Sequence, residues 1–239
     1  MKLMIDDTLI ISLDHIGLGY RQEEGLPWKH HIFWALQDIS FEVRQGDTLG
    51  IIGRNGAGKS SLLRIIAGII NPDKGMITRN PGMRITMLSF GAGFESRLTG
   101  KQNIILNGLQ LGMEKQYIIS RMKQIIELAD IGDFIDQPVR TYSTGMRARL
   151  GFAIAYFIDT DIMLIDEALA AGDEAFREKA TGLIREKISS DLTVIIVSHS
   201  MPIIRNTCTR VIQIENGYTL PEISTEETIA RYRSTILAQ

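Results

Sequence analysis

A glycine-rich segment near residue 55 has the residue types needed to hold a chain of phosphates. Residues 53–60 read Gly-Arg-Asn-Gly-Ala-Gly-Lys-Ser, which fits the spacing G-x-x-x-x-G-K-[ST]. Glycines let successive backbone N–H groups converge on phosphate oxygens, and the start of the following helix adds positive potential. We expect Lys59 to neutralise the terminal phosphates and the Ser60 hydroxyl to bind Mg²⁺. The residues predicted to bind a nucleotide here are Gly53, Arg54, Asn55, Gly56, Ala57, Gly58, Lys59, Ser60 and Ser61.

Two acidic residues follow the apolar run 162–165 and could complete the chemistry. Asp166 is predicted to hold Mg²⁺ through its water shell. Glu167, one residue further on, is predicted to polarise the water that attacks a phosphate. Together with the phosphate loop, the pair predicts hydrolysis of a nucleoside triphosphate.

His199 follows a second apolar run, 194–197, which is typical of a strand buried on both faces in a parallel sheet. The carboxyl ends of parallel strands lie on the ligand side of such a sheet. We therefore expect His199 to reach a γ-phosphate.

Alternating strand and helix patterns must position these residues. Apolar strands are predicted near 10–16, 39–43, 48–52, 76–78, 83–88, 162–165, 194–197 and 210–215. A helix is predicted over 59–69, and the strand signal disappears between 98 and 158, where apolar residues recur at helical spacing. Later helices are predicted from Asp173, after Met201 and from Ser224, which has capping-box spacing with Glu227.

Composition excludes several classes of protein. Hydrophobic residues make up 44% of the 239 residues and charged residues 23%, as in ordinary globular chains. Lys and Arg number 26 against 28 Asp and Glu, and the net charge of −2 argues against nucleic acid as a primary partner. Cys208 is the single cysteine, so no internal disulfide can form and a reducing compartment is expected. No run approaches the ~20 apolar residues of a membrane span, and the amino end does not resemble a secretory signal.

With these motifs in this order around a helical insertion, the chain resembles an ABC-type ATPase subunit. The resemblance implies an α/β fold: a P-loop NTPase (RecA-like) core with an antiparallel β subdomain and an inserted α-helical subdomain. The core would take residues 1–90 and 159–220, the helical subdomain 91–158 and a C-terminal helix 221–239. ATP and Mg²⁺ are the implied ligands, and Glu167, His199 and Lys59 the implied catalytic residues.

The family's signature loop falls at Tyr142-Ser143-Thr144-Gly145-Met146, before an apolar helix. Ser143 and Gly145 match the common form of the signature; a hydroxyl and an open N–H at a helix N-terminus suit a γ-phosphate. In this family the signature contacts ATP held by the other copy. A head-to-tail homodimer is therefore implied, with Ser143, Thr144 and Gly145 acting in trans.

Variant motifs narrow the resemblance to ATPases that export O-antigen, capsule and teichoic-acid polysaccharides. They are the segments 90–94, 98–100, 103–104, 142–146 and 166–176. The similarity implies a peripheral protein on the cytoplasmic face of the inner membrane, a permease dimer as partner and a lipid-linked polysaccharide as cargo. Longer relatives carry a carbohydrate-binding β-sandwich of ~100 residues, which the roughly twenty residues after Gly217 are too few to form.

Two positions depart from the usual family pattern. Ser89 stands where most members have a glutamine that senses Mg²⁺ and relays to the membrane subunit, so Ser89 is the predicted coupling position. Asp173 ends a variant Ala-Ala-Gly-Asp segment and is the predicted interface residue between two sites. Tyr20 is predicted to stack on adenine, with Phe33 and Trp34 as alternatives.

Three other functions remain open on the sequence. A solute-importer ATPase would share every catalytic residue but usually has the glutamine and a full signature. A non-transport ABC ATPase acting on DNA or ribosomes is disfavoured by the net charge and the single ATPase unit. A P-loop kinase would leave the signature and His199 unexplained.

Overall fold

The computed structural model describes residues 8–23, 30–88, 93–166, 174–188 and 192–237. The chain forms two compact units: the first contains residues 1–87, 162–164 and 191–239, and the second contains residues 88–161 and 165–190. The second unit contains the whole of the predicted helical subdomain, 91–158. It also contains residues 165–190, which the resemblance assigns to the core.

The strands are β1 (Leu9–Glu23), β2 (His30–Arg44), β3 (Thr48–Gly53), β4 (Lys74–Arg79), β5 (Ile85–Leu88), β6 (Ile162–Asp166), β7 (Thr193–Val197), β8 (Arg210–Glu215) and β9 (Tyr218–Thr219). The α-helices are α1 (Lys59–Ile66), α2 (Gly100–Gln110), α3 (Lys115–Ala129), α4 (Thr144–Tyr156), α5 (Glu174–Ile188), α6 (Met201–Thr207) and α7 (Thr225–Leu237). Short 3₁₀ helices cover Gly132–Asp136 and Val139–Thr141. No helix among the described residues has both the length and the apolar character needed to span a membrane.

The strand that leads into the phosphate loop lies at the centre of the sheet. Among the described residues the strand order is β4-β1-β2-β9-β8-β3-β7-β6-β5. Strand β3 runs parallel to both β8 and β7 and is buried along its whole length. Its continuous apolar run is what a strand covered on both faces requires. The carboxyl ends of these three strands therefore lie at one edge of the sheet.

Helix α1 fixes the other side of the loop. Leu62, Leu63, Ile65 and Ile66 of α1 are fully buried in a core that they share with apolar residues of the sheet. A helix of eight residues is marginal in isolation, so this packing is what stabilises it. The start of the helix is thereby held at the end of β3.

Strands β1, β2 and β4 form the predicted antiparallel part of the sheet. Strands β1 and β2 have 15 residues each and are longer than their apolar alternation suggested. The added length comes from cross-strand pairs such as Tyr20 with Phe33, whose side chains are exposed. Pairing between the two strands, rather than burial in the core, therefore stabilises these ends of β1 and β2.

The second unit is built from helices α2 to α5. Ile118, Ile125 and Ala129 of α3 are fully buried, as the helical spacing predicted. Phe152 of α4 contacts Phe176 of α5 edge to face, with the ring centroids 5.5 Å apart. This contact accounts for α5 belonging to the second unit.

The C-terminal end of α4 is closed by Lys187 of α5, whose ammonium donates to the carbonyl oxygens of Tyr156 and Ile158. Burial lowers the pKa of Lys187 to about 8, and the negative charge of Asp159 opposes part of that shift. The last carbonyl groups of α4, which have no partner within the helix, therefore receive hydrogen bonds from the Lys187 ammonium.

Candidate active site

Two glycines shape the phosphate loop through contacts within the chain. A Cβ on Gly53 would lie 2.5 Å from the carbonyl oxygen of Ile214 in β8. Gly58 has φ +87°, and a Cβ there would lie 2.5 Å from the carbonyl oxygen of Ala35. A side chain fits at neither position, because real Cβ atoms do not approach backbone so closely. The sequence thus needs glycine at both ends of the loop.

The middle of the loop is open. Arg54, Asn55 and Gly56 are exposed, and the Ala57 N–H closes a turn by donating to the Arg54 carbonyl at 3.1 Å. Gly56 has φ +79°, and a Cβ there would meet no atom within 4 Å. The exposed rim of the loop can therefore approach a ligand closely.

Lys59 is buried, with 6% of its surface exposed, although it begins helix α1. Its ammonium donates to the carbonyl oxygens of Gly53 and Arg54, both at 2.9 Å. The Gly53 carbonyl accepts a second hydrogen bond, from the Tyr232 hydroxyl of α7 at 3.1 Å. Sequence reasoning missed Tyr232, because 179 residues separate it from Gly53 and no motif marks it.

Ser60 and Ser61 lie in the first turn of α1 and are partly exposed. Tyr20 lies close to them, with its hydroxyl 2.9 Å from the Ser61 hydroxyl and 42% of its surface exposed. Phe33 and Trp34 border a different place, a cleft of about 380 Å³ beside Arg54, Asn55 and Gly56. The Trp34 ring also carries the Lys74 ammonium 3.9 Å from its centroid.

His199 lies two residues beyond β7, the parallel neighbour of β3, and is exposed. The turn that carries it is shaped by the Ser200 N–H, which donates to the Ser198 hydroxyl at 3.0 Å. Ser198 is buried, so the hydrogen bond anchors the turn to the interior of the unit. His199 is therefore at the same sheet edge as the end of β3.

Asp166 is the last residue of β6 and is partly exposed, whereas the preceding residues of the strand are buried. Its neighbour Glu167 lies outside the described residues, as do Ser89 and Asp173. The predictions for these three positions rest on the sequence.

The signature turn belongs to the second unit. Ser143 caps helix α4: its hydroxyl accepts a hydrogen bond from the Met146 N–H at 3.1 Å. Tyr142 is buried in front of it and donates to the Phe134 carbonyl at 2.6 Å, while its burial raises the pKa of its hydroxyl. Helix α2 approaches this ring so closely that a Cβ on Gly100 would lie 2.3 Å from the Tyr142 hydroxyl. The turn is therefore rigidly supported from inside the unit.

No described residue covers the outer face of the turn. Ser143 and Thr144 are exposed, and among the described residues a Cβ on Gly145 would meet only the Ser143 hydroxyl, at 3.8 Å. Contacts with the described residues therefore do not require glycine at position 145. Glycine costs about 1 kcal/mol in a helix relative to alanine.

Comparison with known proteins agrees with this geometry. The model of the ABC transporter family matches residues 36–170. The chain is 45% identical over 221 residues to the O-antigen export system ATP-binding protein RfbB of Klebsiella pneumoniae, a match covering 90% of this chain and 89% of the relative. It is 42% identical over 203 residues to the teichoic acids export ATP-binding protein TagH of Listeria monocytogenes, covering 85% of this chain and 60% of that relative.

Among solved structures, the dimeric post-hydrolysis state of the ATP-binding cassette MJ0796 bound to ADP and Pi matches with a TM-score of 0.76. It shares 21% sequence identity with this chain, and the match covers 90% of this chain and 99% of that one. The chain belongs to the ABC transporter family and is one of its ATP-hydrolysing subunits. The predicted family and the predicted fold are both confirmed.

Proposed function

We propose that this chain is the ATPase subunit that powers export of a lipid-linked polysaccharide through a separate membrane permease. The observation that carries the cargo class is the 45% identity to an O-antigen export ATP-binding protein over nine-tenths of both chains. The same cargo class appears in the teichoic acids export relative. We place the subunit at the cytoplasmic face of the inner membrane, bound to its permease.

The first unit supplies the half-site that grips the nucleotide. Backbone N–H groups of residues 54–60 and the α1 N-terminus attract the phosphates, and the Lys59 ammonium neutralises part of their charge. Tyr20 is the adenine-stacking residue that we favour, since its hydroxyl contacts Ser61 in the same helix turn that holds the phosphates. Replacing Tyr20 by alanine should weaken ATP binding more than replacing Phe33 or Trp34, measured by equilibrium titration.

Ser60 and Asp166 are the residues proposed to hold Mg²⁺, directly and through water respectively. A hydroxyl and a carboxylate are hard oxygen donors, which is the donor chemistry that Mg²⁺ prefers. When bound, Mg²⁺ would offset the negative charge that develops on the phosphates. Glu167 would accept a proton from the attacking water, and His199 would donate a hydrogen bond to the transferring phosphoryl group.

The second half-site comes from another copy of the chain. Gly145 supports this step: among the described residues a Cβ there would meet only the Ser143 hydroxyl, at 3.8 Å, which leaves room for an incoming molecule. We propose a head-to-tail homodimer in which Ser143, Thr144 and Gly145 contact the γ-phosphate held by the partner. Asp173 would communicate between the two sites, and the region of Ser89 would transmit closure to the permease.

Mixing two inactive variants tests the shared site. Lys59→Ala removes the ammonium that binds phosphate, and Ser143→Arg keeps its own signature from contacting the γ-phosphate held by the partner. In a mixed dimer, the phosphate loop of the Ser143→Arg copy meets the intact signature of the Lys59→Ala copy, so one complete site is restored. ATPase activity should recover on mixing. The control pairs Ser143→Arg with a copy carrying both substitutions and should stay inactive; absence of recovery in both mixtures would place the whole site within one copy.

Reconstitution with a permease tests the cargo class. ATPase activity should rise when the subunit is assembled with its permease in lipid nanodiscs containing a lipid-linked glycan. The control uses the same lipid without the glycan, and Glu167→Gln should abolish the stimulated rate. Stimulation by a solute-binding protein instead would identify an importer.

A further inference from the structure

Tyr20, which we favour as the adenine-stacking residue, is not held in place by burial. Its side chain is 42% exposed, so the ring is accessible to a base. Its hydroxyl lies 2.9 Å from the Ser61 hydroxyl in the first turn of α1, which fixes the tip of the side chain. The direction of the ring then depends on the backbone that carries it.

That backbone lies at an irregular place in the ladder between β1 and β2. On β1 the register shifts between Leu18 and Gly19. On β2 the same step covers two residues, from Leu36 to Trp34. Two residues of one strand opposite one of the other is the pattern of a β-bulge, which changes the direction of the side chains beside it. The orientation of Tyr20 therefore depends on how this bulge is held.

Asp73 holds β1 from the side opposite to β2. Strand β4 pairs with β1 as far as Lys74 with Gly17, and Asp73 is the residue before β4. The Asp73 N–H donates to the Gly17 carbonyl at 2.8 Å, and the Asp73 carboxylate accepts the Gly19 N–H, also at 2.8 Å. The side chain thus continues the ladder by one step beyond the pairing of the two backbones. A carboxylate is a stronger acceptor for an N–H than a neutral group is.

The residue after Asp73 supports the neighbouring strand at the same place. The Lys74 ammonium lies 3.9 Å from the centroid of the Trp34 ring, and Trp34 is the cross-strand partner of Gly19. A Cβ on Gly19 would lie 2.6 Å from the Ile32 side chain, so glycine lets the two strands approach closely here. Asp73 and Lys74 together therefore hold both strands at the bulge.

We propose that Asp73 is a positioning residue for nucleobase binding: its hydrogen bond to the Gly19 N–H fixes the bulge and directs the Tyr20 ring toward α1. Asp73 then constrains Tyr20 at the backbone, and Ser61 constrains it at the hydroxyl. Without the carboxylate, the Gly19 N–H would bond to water and the ring would sample other directions, so part of the stacking on adenine would be lost. The proposal rests on the proposed role of Tyr20.

Replacing Asp73 by alanine tests the proposal with two ligands that the protein does not hydrolyse. Asp73→Ala should weaken ADP binding roughly 2- to 5-fold, about the value of one exposed hydrogen bond. Binding of inorganic pyrophosphate should stay unchanged, because pyrophosphate has no base. Both affinities are obtained from the shift in unfolding temperature as the ligand concentration rises, which also reports that the variant is folded. Asp73→Asn keeps an oxygen that can accept the Gly19 N–H and should stay within about 2-fold of the unmodified chain.

Asp47→Ala is the matched control, because Asp47 makes the same pair of bonds with another backbone segment. Its carboxylate accepts the Arg44 N–H and its N–H donates to the Arg44 carbonyl, both at 3.0 Å. Asp47 also pairs with Arg210 and precedes β3, at the end of that strand opposite the phosphate loop. Its loss should cost at least as much stability and change neither affinity. A loss of ADP affinity equal to that of Asp73→Ala would overturn the proposal.

A double-mutant cycle with Tyr20→Ala isolates the coupling. Tyr20→Ala alone should weaken ADP binding more than Asp73→Ala does, and Asp73→Ala should have no further effect in that background, because there is no ring to position. Unchanged ADP affinity in Asp73→Ala, equal weakening for ADP and pyrophosphate, or the same weakening in both backgrounds would overturn the role of Asp73.

The cycle also separates the role of Asp73 from the role of Tyr20. If Tyr20→Ala weakens ADP binding and Asp73→Ala does not, the role of Asp73 alone is overturned. If Tyr20→Ala binds ADP as tightly as the unmodified chain, adenine stacking by Tyr20 is wrong and the role of Asp73 fails with it.

Discussion

The phosphate loop and the signature turn both place glycine at a helix N-terminus, but for different reasons. Gly58 of the loop is required by the chain itself, because a Cβ there would collide with the Ala35 backbone. Among the described residues, a Cβ on Gly145 of the turn would meet nothing closer than the Ser143 hydroxyl, at 3.8 Å. A glycine that folding requires cannot by itself indicate a ligand. The space at Gly145 lies beside the exposed Ser143 and Thr144 and leaves room for a molecule from outside the chain.

The two regions also differ in how they are held. In the loop, Lys59 and Tyr232 donate to one buried carbonyl, that of Gly53, so the start of the loop is fixed by hydrogen bonds from within the chain. In the turn, support comes from Tyr142 behind it, and the outer face has no covering residue among those described. The loop is prepared for a ligand that enters it. Under the proposed function, the turn is a preformed surface that a second copy of the chain approaches.

The largest expected effect is on stability, and it should differ between two glycines of the phosphate loop. Gly58→Ala should lower the free energy of unfolding by more than about 3 kcal/mol, since strain at positive φ adds to a backbone collision. Gly56→Ala has the strain without the collision and should cost about 1–2 kcal/mol. Urea unfolding measures both values. Equal losses would show that the collision relaxes easily.

The next effect contrasts stability with activity in the second unit. Gly145→Ala should leave the free energy of unfolding unchanged or raise it by up to about 1 kcal/mol, because alanine favours helix. ATPase activity should nevertheless fall about 10-fold or more, because under the proposed function the added methyl group would meet the nucleotide held by the partner. Gly182→Ala in α5 is the matched control, since a Cβ there also meets no atom within 4 Å. Equal activity in the two variants would remove the distinction between turn and helix.

The smallest effect concerns the far end of the signature helix and depends on pH. Lys187 has a folded-state pKa of about 8 and an ordinary value of 10.5. Between these values the unfolded chain binds the proton and the folded chain does not, so this group makes stability rise with pH. Against Lys187→Met, the unmodified chain should gain on the order of 1 kcal/mol between pH 7.5 and 9.5, discounted for partial exposure. A difference in unfolding free energy that stays constant across this range would contradict the shift.

The sequence predicted the parts of the site that local pattern determines. The strand, loop and helix around residues 48–66 lie where apolar runs and glycine spacing placed them, and Ser143 lies at the start of an apolar helix, as the sequence predicted. The extension of β1 and β2 and the contact of Tyr232 with Gly53 were not predicted. Both depend on residues distant in sequence that share no periodicity or motif, so only the fold brings them together.

The bare surface at Gly145 has a consequence for how the subunit is handled in solution. Under the proposed function a lone copy holds nucleotide yet cannot cleave it, so catalytic output depends on encounters between copies. Specific activity should then decline on dilution and return on concentration, a behaviour that an enzyme with a self-contained site does not display.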